Sequence, residues 1–272
     1  MSFFDGYGRR IPNEDYRLFA SSPNNAYLPS FYYKYEKPNI DYKKILDNSK
    51  EFFSLDHSVS VESFSIACEK IRKKISENSK FENILNGVCV PFILSIDEYQ
   101  DLGSYFEDKY LQGINNSFLN HYPNSHFKAV LQSDTKLKGN ISFAENVGYE
   151  DFVKCAKNNI TAGLFFPEAL QEYDIDSQRL QMLELEFDQI CLSGGFDICA
   201  AVGGYPSLLI SENFYTPIIC MSAFKHIDER LMMCLKSYGP HLEFWNMSQM
   251  LTPSIKQVSE QWAGGLTFFE KI

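Results

Sequence analysis

Apolar positions recur along this chain at two periods, and the period changes part-way. Residues 60–78 place Phe64, Ala67, Cys68, Ile71 and Ile75 at helical spacing on one stripe, with Ser58 or Ser60 available as N-cap. A shorter helix is expected over Tyr42–Phe53 and another over 148–158. Residues 96–119 alternate carboxylates and aromatics in a helical rhythm. The clearest helical pattern covers 177–192. There Leu180, Leu183, Phe187, Ile190 and Cys191 share a face, Asp176 or Ser177 can cap the start, and Gly194-Gly195 can end it.

Strand-like runs interrupt these helices and then replace them. Residues 87–95 form a continuous apolar run of the kind buried on both faces, although Pro91 has no N–H and suits an edge or bulge better than a central strand. Phe127–Leu131 and 162–166 read as short strands. Residues 207–211 and 217–222 flank a polar turn and predict a hairpin. Residues 231–237 and 242–247 predict a second one around Gly239-Pro240. A last helix is expected from Thr252-Pro253 to Gly264-Gly265. Helices first and paired strands later give an α+β fold, with an antiparallel meander in the C-terminal half packed against several helices.

No repeat, low-complexity block or linker divides the chain, so residues 42–272 are expected to form a single domain. Residues 1–41 differ. Pro12, Pro23, Pro29 and Pro38 exclude a helix there, and Phe31, Tyr32, Tyr33 and Tyr35 offer flat anchors. This segment reads as an extended arm packed on the globule or swapped onto a second copy of the chain, which makes an oligomer through the arm conceivable. Residues 190–224 carry three cysteines, four glycines and only two acidic side chains, and belong at the centre of the core.

Charge narrows the partners. The net charge is −10 and the isoelectric point about 5.0, which repels phosphate backbones and anionic headgroups, so neither nucleic acid nor a membrane is an expected partner. The densest basic cluster, Lys70, Arg72, Lys73 and Lys74, is interleaved with Glu62, Glu69 and Glu77 as on a solvated helix face. No apolar run reaches transmembrane length, and the N-terminus carries no signal-type apolar region. The seven cysteines are odd in number and sit in apolar runs, as free thiols in a reducing cytoplasm do.

Chemistry is less legible. His226, Asp228, His241 and Glu243 contain the two imidazoles and a carboxylate of an open metal site, and are the candidate catalytic set. The competing reading is hydrogen-bonded surface histidines. The Ser193-Gly194-Gly195 turn could offer backbone N–H groups to an anion, but Asp197 would itself occupy that positive helix end. Cys89, Cys199, Cys220 or Cys234 could act as nucleophile with His121, His126, His226 or His241 as base, but no sequence spacing pairs them. Asp97, Glu98 and Asp101 follow a predicted strand, where they could face a ligand or simply start the next helix. No motif specifies a cofactor.

Two functions fit these residues. One is a cytoplasmic enzyme or binding protein that holds a small organic molecule among aromatic residues of the C-terminal sheet, with Tyr205, Tyr215, Tyr238 and Trp245 as the candidate ligand-binding set. The other is a protein-interaction module, such as a regulator, inhibitor or secreted effector, that meets a protein partner through the aromatic arm and the acidic surface.

Overall fold

The computed structural model describes residues 2–12, 33–131, 137–211, 213–252, 255–256 and 261–272. Two helices open the globule. α1 (Tyr42–Phe53) starts at Asp41, whose carboxylate accepts the Lys44 N–H, and α2 (Val61–Ser76) starts at Ser60, whose hydroxyl accepts the Ser63 N–H. The predicted stripe of α2 is the buried one, since Phe64, Ala67, Cys68, Ile71 and Ile75 all face the core. All four cations of its basic cluster meet carboxylates. Lys70 and Lys74 hold Glu270, Arg72 lies by Glu69, and Lys73 lies by Glu77.

A four-stranded antiparallel sheet forms the centre, in the order β1 (Val90–Leu94), β4 (Thr161–Phe166), β13 (Leu266–Lys271), β5 (Ile190–Leu192). Pro91 sits in the edge strand, where its missing N–H is tolerated. Every residue of β1 and β4 is buried, so both faces are covered. α1, α2, α5 (Tyr149–Asn158) and the apolar helix α7 (Gly195–Gly204) all pack against it, and each of the ten α7 residues is buried.

Between β1 and β4 the chain forms α3 (Leu102–Tyr105), a π-helical stretch Phe106–Leu111, and α4 (Gln112–His121). Two of the acidic residues after β1 serve this helix, while Glu98 pairs with Lys157 of α5. Asp101 accepts the Ser104 and Gly139 N–H groups, and Asp97 pairs with Lys109.

The second sheet has five strands, in the order β12 (Trp262–Gly264), β6 (Ile218–Cys220), β8 (Leu231–Tyr238), β9 (His241–Ser248), β2 (Phe127–Leu131). Its middle is the antiparallel part, and both outer strands are added in parallel. Two small pairs complete the β structure: β3 (Ile141–Phe143) with β7 (Phe224–His226), and β10 (Met250–Thr252) with β11 (Ile255–Lys256). The fold is α+β. One connected core runs from Phe4 to Phe269, and a smaller cluster of Ile175, Cys220, Met232, Cys234 and Trp262 covers the outer face of the second sheet.

Three expected elements form differently. Residues 177–192 are not one helix. α6 (Ile175–Gln181) ends in a 3-10 turn, Gln189 adopts a left-handed φ of 62°, and Ile190–Leu192 become β5. The apolar spacing misled here because Leu183 is 56% exposed, while Ile190, Cys191 and Leu192 are claimed by hydrogen bonding to Phe268, Thr267 and Leu266. Residues 206–209 form a 3-10 turn, not a strand, and β6 pairs with β8 and β12 instead. The final helix is replaced, among the described residues, by β10, β11 and β12. Positions 253–254 and 257–260 lie outside the described residues.

Of the N-terminal arm, Phe4 and Tyr35 are buried against the globule. Phe31 and Tyr32 lie outside the described residues. Residues 190–204 and 219–224 form the expected buried tract, whereas 210, 211 and 213–216 are intermediate or exposed.

All seven cysteines are free, and only Cys155 is not fully buried. Burial pushes the thiols of Cys191, Cys199 and Cys220 well above their ordinary value, Cys89 to about 11 and Cys234 to about 12. Thiolate is the reactive form. Native protein treated with a thiol-specific chromogenic disulfide at pH 8 should therefore titrate at most one cysteine within minutes, and all seven in denaturant. Fast labelling of three or more native thiols would contradict the burial described here.

Candidate functional site

The β8–β9 hairpin turns at Gly239, whose φ of 57° is easy for glycine, followed by Pro240. Alternation along the strands sends Leu235, Leu242 and Phe244 into the core and leaves Lys236, Tyr238, His241, Glu243 and Trp245 on the other face. Those side chains organise one another. Trp245 donates its indole N–H to Glu243 at 2.7 Å, the Lys236 ammonium lies 3.9 Å from the Trp245 ring, and it pairs with Glu243 at 3.6 Å. His241 stacks on His126 with ring centroids 3.6 Å apart and accepts the His126 backbone N–H on Nδ1, which places the proton of the neutral ring on Nε2.

Beside this hairpin, the end of the N-terminal arm staples a loop. Lys34 donates its backbone N–H to the Tyr215 carbonyl at 3.0 Å, and its ammonium lies 3.5 Å from the Phe214 ring centroid. Glu36 accepts from the Ser211 hydroxyl at 2.8 Å and the Asn213 amide at 3.1 Å, bonds that hold its carboxyl below the usual range. Thr216 bonds the Leu209 carbonyl and the Ser237 hydroxyl, tying the loop to β8.

Between arm, loop and hairpin lies a cavity of about 570 Å³, with Tyr33, Phe214, Tyr215 and Tyr238 as its rings and Asn213, Ser237, Lys236 and Gln261 among its polar lining. That volume is within the range of small-molecule sites. Tyr215 and Tyr238 are each 72% exposed at the rim, and the Tyr215 ring lies 6.2 Å from that of Tyr33, centroid to centroid.

The residues expected from sequence fall in different places. Of the candidate ligand-binding set, Tyr215 and Tyr238 wall this cavity. Tyr205 closes α7 and packs on the core, and Trp245 stands behind Lys236 on the sheet face outside the lining. Of the candidate catalytic set, His241 and Glu243 belong to the hairpin end near the cavity, but His226 and Asp228 do not. His226 is buried in β7, accepting the Asp228 N–H on Nδ1 at 2.9 Å, and Asp228 is clamped by Arg230, whose hydrogen bonds hold its carboxyl at about 2.

Asp228 and Arg230 sit where β8 begins, next to Leu231, whereas His241 pairs with Tyr238 at its far end. Seven residue steps of strand separate those ends, about 23 Å. The four side chains therefore do not converge, and no group of three or more His, Cys, Asp or Glu among the described residues could hold a metal ion. No cysteine among the described residues is hydrogen-bonded to a histidine, either.

The glycine turn has a structural role. Gly194 and Gly195 begin α7 instead of ending the helix before it. A Cβ on Gly194 would lie 2.6 Å from the Tyr149 ring, and one on Gly195 would lie 2.3 Å from the Phe224 ring. Asp197 occupies the helix start, as its position implies. Its carboxylate accepts the Gly194 N–H and the Tyr149 hydroxyl at 2.9 Å each and the Thr267 hydroxyl at 2.6 Å. The anion place is filled from within.

Sequence reasoning did not find Ser211 and Asn213 in the cavity wall, nor Lys34 and Glu36, which hold that wall from the arm. The only local signal was the density of aromatics on both segments. Compared with known proteins, the chain matches no family model, no curated protein and no solved structure.

Proposed function

We propose that this chain is a cytoplasmic small-molecule-binding protein whose site is the cavity between the arm end 33–36, residues 211 and 213–216, and the β8–β9 hairpin. The observation that carries this is the construction of the cavity itself. Three segments distant in sequence are hydrogen-bonded into a concave wall with two largely exposed tyrosines, Tyr215 and Tyr238, at its mouth. Rings of that size at the mouth of a concavity offer a ligand a large flat contact area. Binding is favoured over catalysis because the described lining holds no His, Cys, Asp or Glu, the groups that most often move protons or attack substrates. The seven free thiols support a reducing compartment.

Native mass spectrometry of protein purified from cells is the direct test. A retained adduct of a few hundred daltons is expected on the wild type, and its occupancy should fall at least tenfold in the Tyr215→Ala, Tyr238→Ala double variant. Because both rings are exposed, that variant should keep its stability to within about 1 kcal/mol. An adduct that persists in the double variant would place the ligand elsewhere. A bare wild type that also binds nothing from a fragment library would leave these tyrosines as a surface for a protein partner.

A further inference from the structure

Away from the cavity, the second sheet gathers sulfur on its outer face. Cys220 of β6 and Cys234 of β8 stand directly opposite each other. The pair next to them is a hydrogen-bonded one, since the Met221 N–H donates to the Met233 carbonyl at 2.9 Å. Cys220 and Cys234 are therefore the closer, non-hydrogen-bonded kind of pair, with Cα atoms about 4.5 Å apart. A third sulfur comes from β9. The Cys234 thiol donates to the Met247 thioether, Sγ to Sδ 3.7 Å. Ile175, Met232 and Trp262 pack around these residues.

We propose that Cys220, Cys234 and Met247 bind one Cu(I) ion. Three sulfurs each about 2.3 Å from a d10 ion stand about 4 Å apart, so the 3.7 Å between Cys234 and Met247 already suits such an ion in place of the bridging proton. The donor set selects the metal. Two thiols and a thioether are soft ligands of the kind that favour Cu(I). Structural zinc takes four ligands from Cys, His and carboxylates, and among the described residues no His, Asp, Glu or third Cys completes a set with this pair. Burial keeps both thiols protonated in the empty protein. Binding therefore breaks two S–H bonds, forms two S–Cu bonds and one thioether contact to copper, and releases two protons to water with no electron transferred. The loaded site keeps one net negative charge, and Lys236, next but one after Cys234, is a positive neighbour that it shares with Glu243. Cys89 is a poorer candidate, because the Arg72 guanidinium donates to its sulfur at 3.5 Å and would repel a cation.

Competition for Cu(I) presented as its bicinchoninate complex, without oxygen, tests this on the full chain. Both cysteines are fully buried, so uptake is allowed a day. The wild type should take up one Cu(I) per chain, and X-ray absorption of the loaded protein should show a sulfur-only shell. Cys234→Val should lose this uptake, and Cys89→Val should keep it. Met247→Leu should weaken binding at least tenfold at little cost in stability, because Leu and Met exchange readily in packed sites. That variant decides the matter if Cys234→Val fails to fold. It also separates a copper site from a mere disulfide-forming pair, in which the thioether has no part. Uptake unchanged in Met247→Leu or in folded Cys234→Val would overturn the proposal. So would Zn(II) bound as tightly as Cu(I), or a wild type that takes up no copper in a day and carries none when purified from copper-supplemented cells.

Discussion

Truncating Phe196 to alanine should destabilise the protein by about 4 kcal/mol, the usual range for removing a fully buried aromatic ring. Phe196 is the second residue of α7 and has no exposed surface. Its ring lies within 6.5 Å, centroid to centroid, of six others: Tyr99, Tyr105, Phe106, Tyr110, Tyr149 and Phe224. Tyr110 is closest, at 4.6 Å. These neighbours come from separate parts of the chain, so the hole left by alanine cannot close by a local shift, and the void adds to the lost transfer energy. Urea unfolding followed by tryptophan fluorescence would measure the change, and the melting temperature should fall by about 10 °C. Phe187→Ala offers an internal comparison. Phe187 is only partly buried and meets just the Phe81 and Phe268 rings, so its loss should be clearly smaller. A Phe196→Ala effect below about 1 kcal/mol would contradict this packing.

The second large effect concerns pH. Burial raises the Asp197 carboxyl from 3.8 to about 6, and the three donors that hold it offset only part of that desolvation. The folded state therefore binds this proton more tightly than the unfolded chain does. Its contribution to stability is complete below about pH 4, declines as pH rises through the window from about 4 to 6, and is absent above it. Ionised Asp197 at neutral pH thus costs about 3 kcal/mol relative to its protonated form.

Asp197→Asn removes the titration while keeping an acceptor for Gly194 and Tyr149. Its amide can donate to the Thr267 hydroxyl, which can turn towards Ser193, 2.9 Å away. Measured by urea unfolding, the stability of the variant relative to wild type should rise by about 3 kcal/mol between pH 4 and pH 7. A difference that stays flat over that range would mean that Asp197 titrates like an ordinary carboxylate. This measurement needs no ligand, and so stands apart from the cavity.

Elements whose signals are local were legible in the sequence. α2 was readable because a cap and a buried stripe lie within one helix length. β1 and the β8–β9 hairpin were readable because an apolar run or a Gly-Pro turn marks them. Residues 177–192 were not, because Leu180, Leu183 and Phe187 imitate a helix face while the pairing that decides Ile190–Leu192 comes from Leu266–Lys271, more than seventy residues away. In the cavity, Tyr215 and Tyr238 were findable as aromatics near the C-terminal strands. Lys34 and Glu36 were not, since nothing near them in the chain indicates a loop some 175 residues later.

By itself the sequence determined the fold class, the buried stripe of α2 with its Ser60 cap, most of the buried thiol-bearing tract and the acidic character, because composition and short-range periodicity act wherever the chain goes. Only the tertiary structure decided that His226 and His241 stand at opposite ends of β8, that Asp197 is enclosed by Tyr149 and Thr267, and that the arm closes over the 211–216 loop. Those outcomes depend on pairings between distant segments, where the energy of one contact is set by partners that no local pattern contains.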